Sequence, residues 1–171
     1  MPILFLLKVD IYGACGTKRC SKAKNGTSDC FSMVEKAYNF YLSFENSLCT
    51  DYVTEKFFNA LNYDVVPVVM GGARYADIAP HKSFVSVHDF KNDPGALARH
   101  LAALERSSEA YAQYFWWKDY YEVLQGPRER AKTFCDICQR LHAEDSETKV
   151  YEDMEEWWER KGKCRHLRIR T

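Results

Sequence analysis

Residues 44–61 read FENSLCTDYVTEKFFNAL. A strand-like run, Asn39–Phe44, feeds a short polar loop, Glu45–Asp51, and a helical pattern begins near Tyr52. Val53, Phe57, Ala60 and Leu61 recur at helical spacing and form one apolar face. Tyr52, Glu55 and Lys56 share another, because residues three and four apart are neighbours on a helix. Asp51 is expected as the N-cap, its carboxylate accepting from the free amides of the first turn. The pattern is strand, loop, helix, with a cation near the helix start. Free amides and the positive dipole end favour an anion there. Lys56 adds a point charge for phosphate, and Glu55 can accept from sugar hydroxyls. These residues point to a phosphate or nucleotide site. Taken alone, they fit an ordinary amphipathic helix with solvated Glu and Lys better.

Outward from this stretch, the elements alternate. Phe5–Tyr12 reads as a strand ending at Gly13, residues 14–30 as an exposed basic loop, and Phe31–Tyr38 as a short helix. Val65–Met70 is a continuous β-branched run, which a strand covered on both faces requires. Pro67 places that position near the strand start. Gly71-Gly72 ends the run and permits a tight turn or close approach to a ligand. Ala73–Pro80 reads as a connecting helix or loop, and Ser83–Val87 as a further strand. Asp89–Pro94 is a turn, and Pro94 opens a helix to Leu104 with Leu97, Leu101 and Leu104 on one stripe. Alternating strands and helices predict an α/β fold: a Rossmann-like domain with a mainly parallel sheet over residues 1–127, then a helical, cysteine-containing tail over 128–171. Such sheets bind ligands beyond the carboxyl ends of their strands, where Glu45–Lys56 falls.

The 171 residues are enough for one domain with a real core, and the hydrophobic content of 46% marks a globular chain. A formal net charge of zero argues against a general nucleic-acid or membrane-surface binder. No apolar run approaches the ~20 residues that span a bilayer. Ile3–Leu7 is shorter than a typical signal core of ~7–15 residues. Seven cysteines suggest an oxidising compartment, and the odd count leaves at least one unpaired within the chain. The sequon Asn25-Gly26-Thr27 is consistent with that compartment. Cys15, Cys20 and Cys30 can supply one bridge to staple the 14–30 loop; zinc, needing four ligands, ranks below a disulfide. The aromatics of Ala110–Tyr121 read as helix packing against the sheet, since no basic stripe accompanies them.

Cys135-Asp136-Ile137-Cys138 lies in a helical stretch, Arg128–His142, with a second such stretch at Tyr151–Arg160. Structural disulfides rank first there, redox or zinc roles well below. The acidic residues 144–159 and basic residues 160–170 read as a solvated tail. His88 and Asp89, adjacent on a strand, would point to opposite faces rather than form a dyad. The remaining histidines, His81, His100, His142 and His166, show no carboxylate or cysteine at metal-ligand spacing, so no protein-bound metal is expected.

FENSLCTDYVTEK closely resembles the signature of the α1,3-fucosyltransferase family, and VDIYGACG (residues 9–16) resembles the segment that precedes it. The similarity continues from VVPVVMGGARYADIAPHKSFVSVHDF (residues 65–90) through EAYAQYFWWK (residues 109–118), covering most of residues 9–160. The resemblance implies the C-terminal, donor-binding domain of a two-domain, GT-B type enzyme, and is compatible with enzymes acting on the glycoprotein core and with Lewis-type acceptors. It implies GDP-fucose as donor and inverting transfer of L-fucose to a GlcNAc hydroxyl of an N-glycan or other glycoprotein glycan. Lys56 would neutralise the departing diphosphate, Glu55 would hold the ribose hydroxyls, and Tyr52 and Asn46 would line the nucleotide pocket, with Glu45 near the sugar. The general base belongs to the upstream acceptor domain, so no catalytic residue is expected within this chain. A phosphate-binding arginine upstream of VDIYG is likewise outside it. Met1–Leu7 departs from the expected family sequence, which suggests a truncated chain that holds donor without transferring. A disulfide-stapled structural domain is the third reading. No tightly bound cofactor is implied; a divalent ion, Mn or Mg, bridging the diphosphate stays open. The family implies a lumenal Golgi location, with membrane attachment only through an anchor this chain lacks. It also implies that the Cys135 and Cys138 thiols pair with partners earlier in the sequence.

Overall fold

A computed structural model describes residues 8–20, 30–124, 126–143 and 150–166. Helix α1 (Cys30–Ala37) precedes β1 (Phe40–Phe44), a two-residue strand β2 (Ser47–Leu48) and helix α2 (Glu55–Leu61). Strand β3 (Val66–Met70) follows, then a 3-10 turn at Tyr75–Asp77, β4 (Val85–Ser86) and a second 3-10 turn at Val87–Phe90. Helix α3 (Pro94–Glu105), α4 (Ser108–Ala112), a 3-10 turn at Trp116–Asp119, α5 (Pro127–Leu141), a π-helical segment at Glu156–Lys161 and β5 (Arg165–His166) complete the order.

Strands β1, β3 and β4 form a parallel sheet with β3 in the centre, pairing Phe40 with Val66 and Val68 with Val85. The chain is therefore α/β with a parallel sheet, as its alternating pattern requires. The uninterrupted apolar run of β3 has its cause in that central place. Val66 and Val68 pack with Val85, Leu97, Leu101 and Leu104 on one side. Val69 packs with Phe57, Leu61, Tyr75 and Trp117 on the other. Pro67 is tolerated because ladder bonds alternate sides in a parallel strand. The Val66 N–H reaches the Asn39 carbonyl at 2.9 Å, so position 67 faces β4, whose pairing begins only at Val68.

Asp93 caps α3 by accepting from the Gly95 N–H at 2.8 Å, and Pro94 takes the first turn, where its missing N–H costs nothing. Leu97, Leu101 and Leu104 are buried as their stripe predicts.

Several expectations need correction. The strand expected at Ser83–Val87 contracts to two residues. Ser83 bonds the Pro80 carbonyl through both its N–H and its hydroxyl, and the Ser86 hydroxyl accepts from the His88 N–H to start a 3-10 turn. His88 and Asp89 therefore sit in that turn rather than on a strand, and His88 Nε2 lies 2.8 Å from the Gly71 carbonyl. Part of the strand expected at Phe5–Tyr12 lies outside the described residues, as does the sequon at Asn25; Lys8–Tyr12 shows only a single bridge, Tyr12 to Lys18. The aromatic stretch 110–121 is two short helical pieces rather than one. Trp117 is buried, and Tyr111, Tyr114 and Phe115 pack on the core, while Tyr120 and Tyr121 are exposed.

The solvated-tail reading fails for residues 156–166. That segment returns to the loop after β1: β5 pairs antiparallel with β2 in a separate two-stranded sheet, and Cys164 is bonded to Cys49. A second disulfide, Cys20–Cys30, closes the basic loop, leaving Cys15, Cys135 and Cys138 as exposed thiols. Cys138 Sγ lies 3.9 Å from His142 Nδ1, one helical turn on, so His142 does have a cysteine at ligand spacing. Among the described residues, however, no group of three or more side chains is placed to hold a metal. None of the described helices is long and apolar enough to cross a membrane.

Leu101→Ala is expected to lower unfolding free energy by about 2–5 kcal/mol, the cost of a cavity between α3 and β3. Arg99→Ala, on the exposed side of the same helix, should change it by no more than about 0.5 kcal/mol. Urea denaturation of both variants measures the difference.

Candidate functional site

The site is built where β1 ends. Its ladder extends one residue past the strand, the Glu45 N–H reaching the Met70 carbonyl at 2.9 Å. This fixes Glu45 with a side chain fully removed from solvent. A buried carboxylate must find donors, because desolvating an unpaired charge costs several kcal/mol, about what a lost buried pair costs. Glu45 finds them across the loop. Its Oε1 accepts from the Thr54 N–H at 2.8 Å, and its Oε2 accepts from the Thr54 hydroxyl at 2.8 Å. Lys56 Nζ donates to Thr54 Oγ1 at 3.0 Å and lies 3.5 Å from Glu45 Oε2.

This corrects the expected helix start. Thr54 is the N-cap and α2 begins at Glu55, three residues later than the sequence pattern suggested. Asp51 instead sits in the left-handed region, φ 59°, within the loop. Glu45 holds the N-cap residue itself, its carboxylate accepting from the Thr54 N–H and hydroxyl beside the helix start. Tyr52 consequently lies before the helix and does not share a helical face with Glu55 and Lys56.

The remaining predicted residues surround this centre. Lys56 keeps 27% of its side chain exposed, and its Nζ is 3.7 Å from Glu55 Oε1. Glu55 is 70% exposed, and Asn46 is exposed on the loop just after Glu45. Tyr52 is half-buried, its ring edge-on to Trp158 at 6.2 Å. Glu45, Glu55 and Lys56 are thus brought together, Asn46 adjoins them in sequence, and Tyr52 is drawn toward the tail.

Gly71 and Gly72 close the same end of the sheet. A Cβ at Gly71 would collide with the Tyr75 hydroxyl, and one at Gly72 with the Cys49 backbone. The close approach expected of this pair is to the protein's own atoms. The Tyr75 hydroxyl is buried with no hydrogen-bond partner among the described residues, and burial, reinforced by the nearby Glu45 charge, pushes its pKa up to about 12. Beside Gly72, a cavity of about 720 Å³ is lined by Leu48, Thr50, Cys164 and the charged residues Glu159, Arg160, Lys163 and Arg165.

Sequence reasoning missed Thr54, Tyr75, Trp158 and the cations of the tail. A hydroxyl residue directly before the helical run Glu55–Leu61 was the available signal for Thr54. For the tail, the signal was the otherwise unassigned Cys164.

The model of the C-terminal domain of glycosyltransferase family 10 (fucosyltransferase) matches residues 3–157. The chain belongs to this fucosyltransferase family. It is 42% identical to alpha-(1,3)-fucosyltransferase C of Drosophila melanogaster over 153 residues, covering 88% of this chain and 34% of that relative. It is 43% identical to glycoprotein 3-alpha-L-fucosyltransferase A of the same organism over 164 residues, 92% of this chain and 31% of that one. Human alpha-(1,3)-fucosyltransferase 7 is 40% identical over 162 residues, 90% of this chain and 42% of that protein. The fucosyltransferase chain thus spans about a third of the length of the Drosophila relatives. A crystal structure of an alpha1,3-fucosyltransferase with GDP-fucose aligns with a TM-score of 0.45 at 26% identity, covering 68% of this chain and 34% of that one.

Glu45→Ala is expected to destabilise this fucosyltransferase domain by about 2–4 kcal/mol, because it strips Thr54 of its acceptor and Lys56 of its counter-charge. Glu45→Gln, which keeps an acceptor for the Thr54 N–H, should cost less. Chemical denaturation of the two variants orders them.

Proposed function

We propose that the chain is the donor-binding part of an α1,3-fucosyltransferase, holding GDP-fucose for inverting transfer of L-fucose to a GlcNAc hydroxyl of a glycoprotein glycan. The observation that carries this reading is a lysine held in a fixed place where β1 hands over to α2. Lys56 is tethered by Thr54 and Glu45 yet keeps its ammonium partly open. Carboxyl ends of parallel strands are where α/β sheets take their ligands. The names of relatives that share about two-fifths of its residues support fucosyl transfer and a glycoprotein acceptor.

In this reading a base deprotonates the acceptor hydroxyl, which attacks the anomeric carbon of fucose as GDP departs. Glycosyl transfer passes through a cation-like sugar, so the rate depends on stabilising the negative charge that gathers on the diphosphate. Lys56 is fixed before the reaction begins and needs little reorganisation to do so. Glu55, exposed beside it, accepts from the ribose hydroxyls, while Asn46 and Tyr52 border the nucleotide. Glu45 acts through Lys56, as a positioning residue. The general base lies in an upstream acceptor domain, so the isolated chain binds donor without transferring it.

A divalent ion, Mn or Mg, would bind through the diphosphate rather than through protein ligands. The two disulfides support an oxidising location such as the Golgi lumen, in a protein held to the membrane by another segment. Cys135 and Cys138, exposed on α5, are available to bond with cysteines of the acceptor domain.

Calorimetric titration tests the donor reading. GDP is expected to bind the chain, and Lys56→Ala to weaken it at least tenfold, about 1.4 kcal/mol. Equal affinity in the variant, or UDP competing as well as GDP, would overturn the assignment. Adding GDP-fucose and a GlcNAc-terminated glycan should give no transfer until an acceptor domain is supplied.

A further inference from the structure

The Lys56 charge is not free to meet an incoming dianion alone. Glu45, 3.5 Å away and inaccessible to solvent, already offsets it, and Glu55 stands 3.7 Å off on the other side. A diphosphate leaving from this end of the sheet needs cations without a carboxylate of their own.

The tail presents them. Residues 162–166 are fastened beside the loop that follows β1 by three links: the Cys49–Cys164 disulfide, a 2.7 Å bond from the Thr50 N–H to the Gly162 carbonyl, and the β2–β5 ladder pairing Leu48 with Arg165. The cavity these links enclose opens beside Gly72, just past the carboxyl end of β3. Of its three cations, Arg160 is already engaged, with Glu156 at 2.7 Å and Asp153 at 4.0 Å. Lys163 and Arg165 have no carboxylate partner among the described residues, and Glu159 is the one acidic side chain in the lining. Lys163 is also held in the left-handed region, φ 51°, where a lysine is seldom found. Two uncompensated cations, one of them a planar guanidinium suited to bidentate contact with phosphate oxygens, match the charge and geometry of a diphosphate.

We infer that the tail is a working wall of the donor site, in which Lys163 and Arg165 bind the diphosphate of the nucleotide sugar together with Lys56. The inference rests on the donor reading above. Trp158 joins the two halves, its ring against Tyr52 and its carbonyl 3.3 Å from Cys164 Sγ. The tail thereby reaches both the loop and the cavity.

The test uses the full chain, with inorganic pyrophosphate, GDP and guanosine as probes in calorimetry at low ionic strength. In K163A/R165A, pyrophosphate and GDP are each expected to bind at least tenfold more weakly than to the unsubstituted chain, with guanosine unaffected. The charge-reversed K163E/R165E should bind more weakly still. Both side chains are exposed, and a thermal melt matching that of the unsubstituted chain shows that the fold is intact. Unchanged pyrophosphate and GDP affinities in K163A/R165A, or no pyrophosphate binding to the unsubstituted chain, would overturn the inference. If GDP binding depends on Lys56 but not on Lys163 and Arg165, the donor reading stands and the tail inference falls. If pyrophosphate binding depends on the tail pair but GDP gains nothing over pyrophosphate, the anion site stands and the nucleotide reading falls.

Discussion

A single buried carboxylate organises the functional end of this domain. Glu45 is carried inward by the last rung of the β1–β3 ladder, and its charge must then be met locally. Thr54 and Lys56 meet it, and in doing so they define where α2 starts, close the loop 46–53 at both ends and hold the lysine at one distance from the sheet. The geometry of the loop follows from that closure. Asp51 takes a left-handed conformation because the chain must turn within a span whose ends are already fixed. Helix α2, only seven residues long, gains its order from Phe57, Ala60 and Leu61 buried against the sheet rather than from helix propensity.

Charge is divided unevenly around this centre. The helix contributes a cation that is precisely located but largely compensated. The tail contributes Lys163 and Arg165, exposed and without a carboxylate partner among the described residues. Fixed placement and net attraction are different requirements for the proposed donor site, which would hold a dianion and then release it, and separate segments of the chain would supply them. The disulfide between Cys49 and Cys164 joins those segments, and it lies next to Gly72, where only a glycine leaves room for the Cys49 backbone.

Much of the sheet was legible because its signals are local. The run Val65–Met70 has no polar residue to place on an open face, so it had to be central. Asp93-Pro94 followed by leucines three and four apart carries both the cap and the stripe of α3. Ser83–Val87 misled because its composition is strand-like while its serine hydroxyls bond nearby backbone, which propensity does not register. Within the site, the residue types near Lys56 were readable, and the family resemblance supplied roles for them. The pairing of Glu45 with Thr54, nine positions apart, has no periodic signature, so Asp51 looked like the better cap. The return of Cys164 was hidden among seven cysteines whose connectivity spacing cannot fix.

The sequence separation of 115 between Cys49 and Cys164 also bears on the order of events during synthesis. At ribosomal speeds of about 5–20 residues per second, the first of these thiols waits roughly 6–23 s for its mate to be made. Throughout that interval it shares a nascent chain with Cys15, Cys20 and Cys30, all translated earlier. Closure of Cys20 with Cys30 within that interval would remove two of these competitors, and the small N-terminal bridge would then guard the large one.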